Sequence, residues 1–200
     1  MSPFDEAYLG NPPWEIGRPQ PAIESLFDSG VVQGRVIDVG CGTGEHTLLA
    51  ASRGLDALGV DNASRAIELA RNKARARDLP ARFETVDALQ LGVLRERFDT
   101  AIDCGLFHVL TTPQRFSYAR SLSSVLRPGA TLHLLCFSER EPNWGGPRRV
   151  RQLEIEEAFA DLYVVERIEA ARFATRRSRD GAAAWLATIV HVGKRLGGVA

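Results

Sequence analysis

The stretch that most constrains this chain is Val36–Gly44, VIDVGCGTG. A short β-branched run passes straight into Gly40, Gly42 and Gly44, and a helical pattern begins directly afterwards. Glycines are required where a backbone turns sharply or where a ligand must touch it. Amides at the start of a helix point outward and form a natural binding edge. A strand, a glycine turn and a helix in succession therefore predict an α/β fold whose ligand lies at the strand tips.

The rest of the chain continues the alternation. Strands are expected at Arg35–Val39, Leu55–Val60, Arg82–Val86, Phe98–Asp103, Ala130–Phe137, Leu162–Ile168 and Ala183–Val192. Helices are expected at Pro19–Asp28, Thr47–Arg53, Ala63–Asp78, Gln114–Leu126 and Arg151–Ala160, with Pro128-Gly129 stopping the fourth of them. The last two strands have no helical pattern between them and are joined by RRSRDG, which ends in the turn pair Asp180-Gly181. The final strand is thus expected to run antiparallel in a sheet that is otherwise parallel, a Rossmann-like arrangement of about seven strands with helices on both faces. No repeat or linker divides the chain, so residues 1–200 are read as one domain, with residues 1–30 forming an N-terminal lid segment and helix.

Acidic residues decide what the glycine loop can hold. Asp38 precedes the first glycine, Asp61 ends the second strand and Asp87 ends the third. The glycine spacing is GxGxG, not the GxGxxG of dinucleotide binders. Carboxylates at neighbouring strand tips suit a ligand with hydroxyls, an amine and a cation better than one with a pyrophosphate. S-adenosylmethionine (SAM) has a ribose, an α-amino group and a sulfonium, and no phosphate. The competing explanation for Asp61 and Asp87 is that each caps the helical turn that follows it.

VIDVGCGTG, GVDNAS, FETVDALQL and FDTAIDCGLFHVL together resemble the successive motifs of class I SAM-dependent methyltransferases. PPWEIGRPQPAI, LRPGATLHLLCFSE and GPRRVRQLEIEEAF narrow the resemblance to a small-molecule branch, that of the thiopurine-methyltransferase-like and heterocyclic-toxin-methyltransferase-like enzymes. The resemblance implies that Asp38, Gly40, Gly42 and Gly44 hold the methionine part of the cofactor. It implies further that Asp61 takes the ribose hydroxyls and that Asp87 and Ala88 meet the adenine. Asp103 and Cys104 would line the opening beside the sulfonium, and Trp14, Gly17 and Arg18 would fold over the cofactor. Asn62 stands where an apolar residue commonly packs on adenine, and Ala130 stands in RPGA where a second glycine is usual.

Methyl transfer from a sulfonium needs in-line attack and gains mainly from orientation. His108, just past the fourth strand, is the candidate base, with orientation of its loop as the alternative role. Tyr8, Phe107 and Trp144 are candidates for stacking on a flat acceptor, and His108 borders the same region. His46, His133 and His191 read as structural. Asn11–Trp14 spells NPPW, a quartet like that of amino-methyltransferases acting on adenine in DNA. Those carry it after the fourth strand, whereas here DCGLFH follows that strand.

Charge argues the same way. Lys+Arg and Asp+Glu number 25 each, which leaves no basic surplus for nucleic acid or an anionic membrane. Cys41, Cys104 and Cys136 show no metal-binding spacing and read as reduced thiols in a cytoplasmic protein. The expected partners are SAM and a small (hetero)aromatic acceptor methylated at O, N or S, with no metal, and the chain a monomer or homodimer. The alternatives are a SAM-binding enzyme acting on a protein or nucleic-acid amine, or a nicotinamide-dependent oxidoreductase.

Overall fold

The computed structural model describes residues 3–10 and 12–193, so Asn11 of the NPPW quartet lies outside the described residues. The strands are β1 (Val36–Val39), β2 (Ala57–Asp61), β3 (Arg82–Thr85), β4 (Phe98–Cys104), β5 (Leu126–Phe137), β6 (Tyr163–Thr175) and β7 (Ser178–His191). They form one seven-stranded sheet in the order β3-β2-β1-β4-β5-β7-β6. Only β7 runs against its neighbours, pairing antiparallel with both β5 and β6. Strand order reverses between β1 and β4, which opens a crevice beyond their carboxyl ends.

All four residues of β1 are buried, as a central parallel strand covered on both faces requires. The helices are α1 (Pro3–Ala7), α2 (Pro21–Asp28), α3 (Glu45–Ser52), α4 (Ser64–Ala76), α5 (Thr112–Ser123) and α6 (Gln152–Phe159). Alternation along the strands feeds two main cores. Leu132, Leu134 and Cys136 of β5 face Tyr118 and Leu122 of α5 and Ile155 and Phe159 of α6. Leu135 and Phe137 turn the other way, toward Ile23, Leu26 and Phe27 of α2.

Three local expectations need correction. Helix α5 begins at Thr112, not Gln114, because Thr111 and Gln114 form a capping box with Pro113 inside the first turn. It ends at Ser123, and Pro128-Gly129 instead lies within β5, where the pairing with β4 slips between Phe98 and Thr100. The breaker pair bulges a strand here rather than stopping a helix. The β6–β7 connection is the two residues between Thr175 and Ser178, and Asp180-Gly181 belongs to β7. Gly181 has φ of 67° and sits so close to the carbonyl of Phe173 that a Cβ would lie 2.7 Å from its oxygen. Its glycine therefore serves a bulge in the ladder, with the register slipping between Phe173 and Thr175. Among the described residues no helix is long and apolar enough to cross a membrane.

Candidate functional site

A cavity of about 840 Å³ opens at the crevice. Gly40 after β1, Asp61 and Asn62 at the tip of β2, Asp87 and Ala88 after β3, and Cys104 at the end of β4 line one side. Tyr8 and Trp14 of the N-terminal segment close over that side. His108, Phe137, Trp144 and Phe173 line the other.

Asp61 is held by the loop it faces. Its Oδ2 accepts the Gly42 amide at 2.9 Å and its Oδ1 accepts the Ala63 amide at 2.9 Å. Burial raises its pKa against the pull of those amides. Asp87 accepts the Leu89 amide at 2.9 Å and so caps the 3₁₀ turn Ala88–Leu94. Both acids thus cap the next turn and also face the cavity, so the two readings of the sequence coexist.

Asp38 is buried beneath the loop and does not line the cavity. Its Oδ2 accepts the Thr47 hydroxyl at 2.8 Å and the Thr47 amide at 3.2 Å, while Oδ1 has no partner. Burial pushes this carboxyl up to about 7, with Asp61 and Asp103 adding to the rise.

The three glycines divide their tasks. Gly40 has φ of 71° and lines the cavity, and a Cβ there would meet Leu106 at 2.9 Å. Gly42 makes room for the Tyr8 hydroxyl, and Gly44 for the ring of Phe83. Neither Gly42 nor Gly44 faces the cavity, and the same holds for Gly17 and Arg18, which are exposed on the N-terminal segment.

Two further expected site residues, Asp103 and Phe107, are also placed away from the cavity. Asp103 is fully buried, and its Oδ1 accepts the Leu106 and Phe107 amides at 3.0 and 3.2 Å. It shapes the turn after β4 rather than the opening, and burial pushes it up to about 7. Phe107 is fully buried against Phe159, with the Arg115 guanidinium 4.5 Å over its ring, so it packs in the core instead of stacking on an acceptor.

His108 does line the cavity, between Phe137 and Phe173 at ring distances of 4.6 and 5.7 Å. Its Nδ1 accepts the Phe137 amide at 3.1 Å. A neutral ring that accepts at Nδ1 carries its proton on Nε2. Burial, helped by the Arg115 and Arg149 cations, pushes its pKa down to about 3. This geometry makes His108 a hydrogen-bond donor and opposes the base role expected from its position.

The other histidines are structural in placement. His46 Nε2 accepts the Gln20 amide at 3.1 Å, and His191 Nδ1 lies 3.0 Å from the Arg127 carbonyl. Burial holds His46 and His133 down to about 4 each. These shifts set a pH dependence of stability. Between pH 6.5 and about 4 the unfolded chain binds protons that native His46, His108 and His133 refuse, so acidification destabilises. Over about pH 7 to 3.8, native Asp38 and Asp103 keep protons that the unfolded chain releases, so acidification stabilises. Three protons refused against two kept leave a net loss of stability on acidification from about pH 6 to 4.5, and carboxylates such as Asp56 and Glu96, held below their usual range by Arg35 and Arg82, add to it toward the acid end. Urea unfolding of the ligand-free protein across that window checks the slope, and a stability that rises toward pH 4.5 would contradict it.

Several supporting residues carried no sequence signal. Glu15 accepts from the Thr43 hydroxyl, and Lys73 reaches Thr43 at 2.5 Å and Glu45 at 2.7 Å. Arg77 completes the relay to Glu45 at 2.8 Å. The relay pins the N-terminal segment to the glycine loop across residues far apart in sequence. Gln20 adds a second tie, donating to the Ala174 carbonyl at 2.8 Å and accepting the Ala174 amide at 2.7 Å. Cavity residues Phe137, Phe173 and Arg177 were also missed, because nothing in a β-strand or a charged turn marks its residues as facing a ligand.

The donor set fits SAM. The strand tips present carboxylates and glycine backbone, and among the described residues Asp38 leaves a buried oxygen without a partner beneath the loop and no arginine lines this side. A pyrophosphate would find no cation there.

Comparison with known proteins agrees with the geometry. Residues 36–129 match the family model of the methyltransferase domain. The 2-heptyl-1-hydroxyquinolin-4(1H)-one methyltransferase of Mycobacteroides abscessus is 36% identical over 180 residues, covering 84% of this chain and 79% of that protein. A probable thiol methyltransferase 2 of Arabidopsis thaliana is 29% identical over 157 residues, covering 76% and 69%. A structure solved in work on the conversion of a disulfide bond into a thioacetal group during echinomycin biosynthesis superposes with a TM-score of 0.86 at 34% identity, covering 94% of this chain and 91% of that one. With a sheet, a cradle and relatives that all point to one chemistry, the chain belongs to the class I SAM-dependent methyltransferases, in their small-molecule branch.

Proposed function

We propose that this enzyme methylates an O, N or S atom of a small, flat (hetero)aromatic acceptor, working mainly by in-line positioning in an apolar cavity. The observation that carries the reading is the continuity of one cavity from the carboxylate-tipped strands to the aromatic wall of Phe137, Trp144 and Phe173. Bound SAM supplies an electrophilic methyl group on a sulfonium. The chain's residues do the rest. Asp61, Asn62, Asp87 and Ala88 hold the nucleoside end, and Gly40 lets the backbone approach. Cys104 borders the junction between the two halves. Tyr8 and Trp14, joined by a hydrogen bond of 3.1 Å, cover the junction and exclude water. Phe137 and Trp144, in edge-to-face contact at 6.0 Å, present an aromatic wall for a flat ring to lie against. His108 donates through Nε2 to an acceptor oxygen and orients it.

The relative named for a 1-hydroxyquinolone supports a bicyclic N-hydroxy heteroaromatic as the first acceptor to try, and the thiol methyltransferase relative supports thiols as the second. The test is a mass-spectrometric screen of aromatic hydroxyl, N-hydroxyl, amine and thiol compounds with SAM. Addition of 14 mass units to a flat aromatic is the expected result, and no methylated product across all four classes would overturn the reading.

Replacing His108 with Phe keeps the ring shape and deletes both the donor and the acceptor for the Phe137 amide. Turnover should fall roughly tenfold to a hundredfold, as loss of one or two hydrogen bonds at about 1–3 kcal/mol implies, with affinity for S-adenosylhomocysteine unchanged. With an acceptor whose own pKa lies well away from 6.5, the wild-type rate should show no inflection near pH 6.5. An inflection there that vanishes in His108→Phe would restore the base role.

A further inference from the structure

The two halves of the cavity differ in charge. Carboxylates line the nucleoside end, while Arg148 and Arg177 line the acceptor end and Arg149 packs against its aromatic residues. The Arg149 guanidinium lies 4.5 Å over the Trp144 ring and that of Arg177 lies 5.5 Å over it. Arg149 also sits 5.6 Å over Phe137, and Phe137 packs at 4.6 Å on His108. Arg149 spends its donors on the carbonyls of Glu141, Pro142, Gly145 and Pro147. Of the two acids in this loop, Glu141 is occupied by Trp144 Nε1 and the Ala183 amide, both at 2.6 Å, and Glu139 by Trp185 Nε1 at 2.6 Å. Arg148 is different, being paired at 2.5 Å with Glu154, a carboxylate it shares with Arg115 and Arg151. Among the described residues neither Arg149 nor Arg177 forms an ion pair.

Among the described residues that line the same end, none is free to take a proton. His108 has its Nδ1 filled by the Phe137 amide. Gln114 is used by Thr111, its side-chain oxygen accepting both the amide and the hydroxyl at 2.9 Å. The Cys104 thiol is pushed well above its usual range by burial and by Asp38 and Asp103. Asp61 and Asp87 are on the opposite wall, committed to backbone amides.

We propose that the acceptor is captured as an anion, an aromatic hydroxyl, ring N-hydroxyl or thiol that has already released its proton to water, and that Arg177 and the Arg149-backed Trp144 select it beside the His108 edge. This rests on the methyl-transfer reading above and deepens it. The acceptor's lone pair forms the bond to the methyl carbon, and the carbon–sulfur bond breaks with its electrons left on sulfur. One negative and one positive charge disappear together, and no proton moves in the step. A poorly hydrated cavity favours such charge annihilation and strengthens the pull of each guanidinium on the anion. Acceptors that stay neutral until they react, such as aromatic amines, are poor substrates because their product would keep the positive charge beside Arg149 and Arg177.

The experiment measures kcat/KM at saturating SAM from pH 5.5 to 9 for phenol, 4-cyanophenol, 4-nitrophenol and the matching thiophenols. kcat/KM should rise tenfold per pH unit below each acceptor's own pKa and level above it, so that phenol, which ionises above this range, climbs throughout and 4-nitrothiophenol, which ionises below it, stays flat. A break at one fixed pH for the whole series would reveal a base on the enzyme and overturn the proposal. So would absence of turnover for every member by protein that binds S-adenosylhomocysteine. Failure to bind S-adenosylhomocysteine at all would instead sink the methyl-transfer reading. As a second arm, Arg177→Glu should raise KM for 4-nitrophenol at least tenfold and leave S-adenosylhomocysteine affinity unchanged, with Arg177→Lys recovering most of the loss. An unaltered KM in Arg177→Glu overturns the assignment.

Discussion

Asp61→Ala should weaken binding of SAM and of S-adenosylhomocysteine by roughly a hundredfold to a thousandfold in calorimetry. The carboxylate sits at the tip of β2 with one oxygen on the Gly42 amide and the other on the Ala63 amide. Its loss removes the partner for the cofactor's ribose hydroxyls and frees the glycine loop from the strand tip at once. Each donor left without an acceptor costs about 1–3 kcal/mol, so a total of about 3–4 kcal/mol is a moderate expectation. Asp87→Ala should cost less, because Asp87 holds a single amide at an exposed turn. Affinity within threefold of wild type in Asp61→Ala would show that the nucleoside does not lie across this tip.

The second large effect is on stability. Gly44→Ala should lower the unfolding free energy by about 3 kcal/mol in urea titration without ligand. Gly44 has φ of 86° and stands at the start of α3. A Cβ there would lie 2.5 Å from the Phe83 ring and 3.0 Å from the Ala70 Cβ. The left-handed backbone costs roughly 1–2 kcal/mol for a residue with a side chain, and overpacking adds roughly 1–3 kcal/mol. Gly54→Ala supplies the control, since Gly54 has φ of 79° but nothing within 4 Å of a new Cβ. It should pay the backbone cost alone. Equal losses in the two variants would show that the contact with Phe83 is not what fixes Gly44.

These two positions also show how far the sequence could be read. The glycine loop and the acids at strand tips were legible because their chemistry is local: turn, tip and helix start follow one another in the chain. Most of the strands and helices were legible for the same reason, through period and punctuation. Pro128-Gly129 and Asp180-Gly181 misled because a breaker pair looks alike in a turn and in a bulge, and only the neighbouring strand decides between them. Asp103 and Phe107 sit in the motif region at and after the end of β4, yet their side chains turn inward to hold the turn and fill the core. His108 looked like a base because sequence reports the residue and not the direction of a β5 amide. The relay Glu15–Thr43–Lys73–Glu45 joins three distant segments, so no spacing could announce it.

The Gln20–Ala174 pair has a mechanical meaning. The Arg176 amide donates to the Pro13 carbonyl at 3.0 Å, just beyond Gln20's two bonds to Ala174. The strip that carries Trp14 and the hairpin tip that carries Arg177 are thereby sewn edge to edge. Any widening that frees the spent nucleoside must drag the hairpin along or rip three hydrogen bonds. One seam thereby couples the strip to the hairpin tip, so neither can swing away from the cavity without the other.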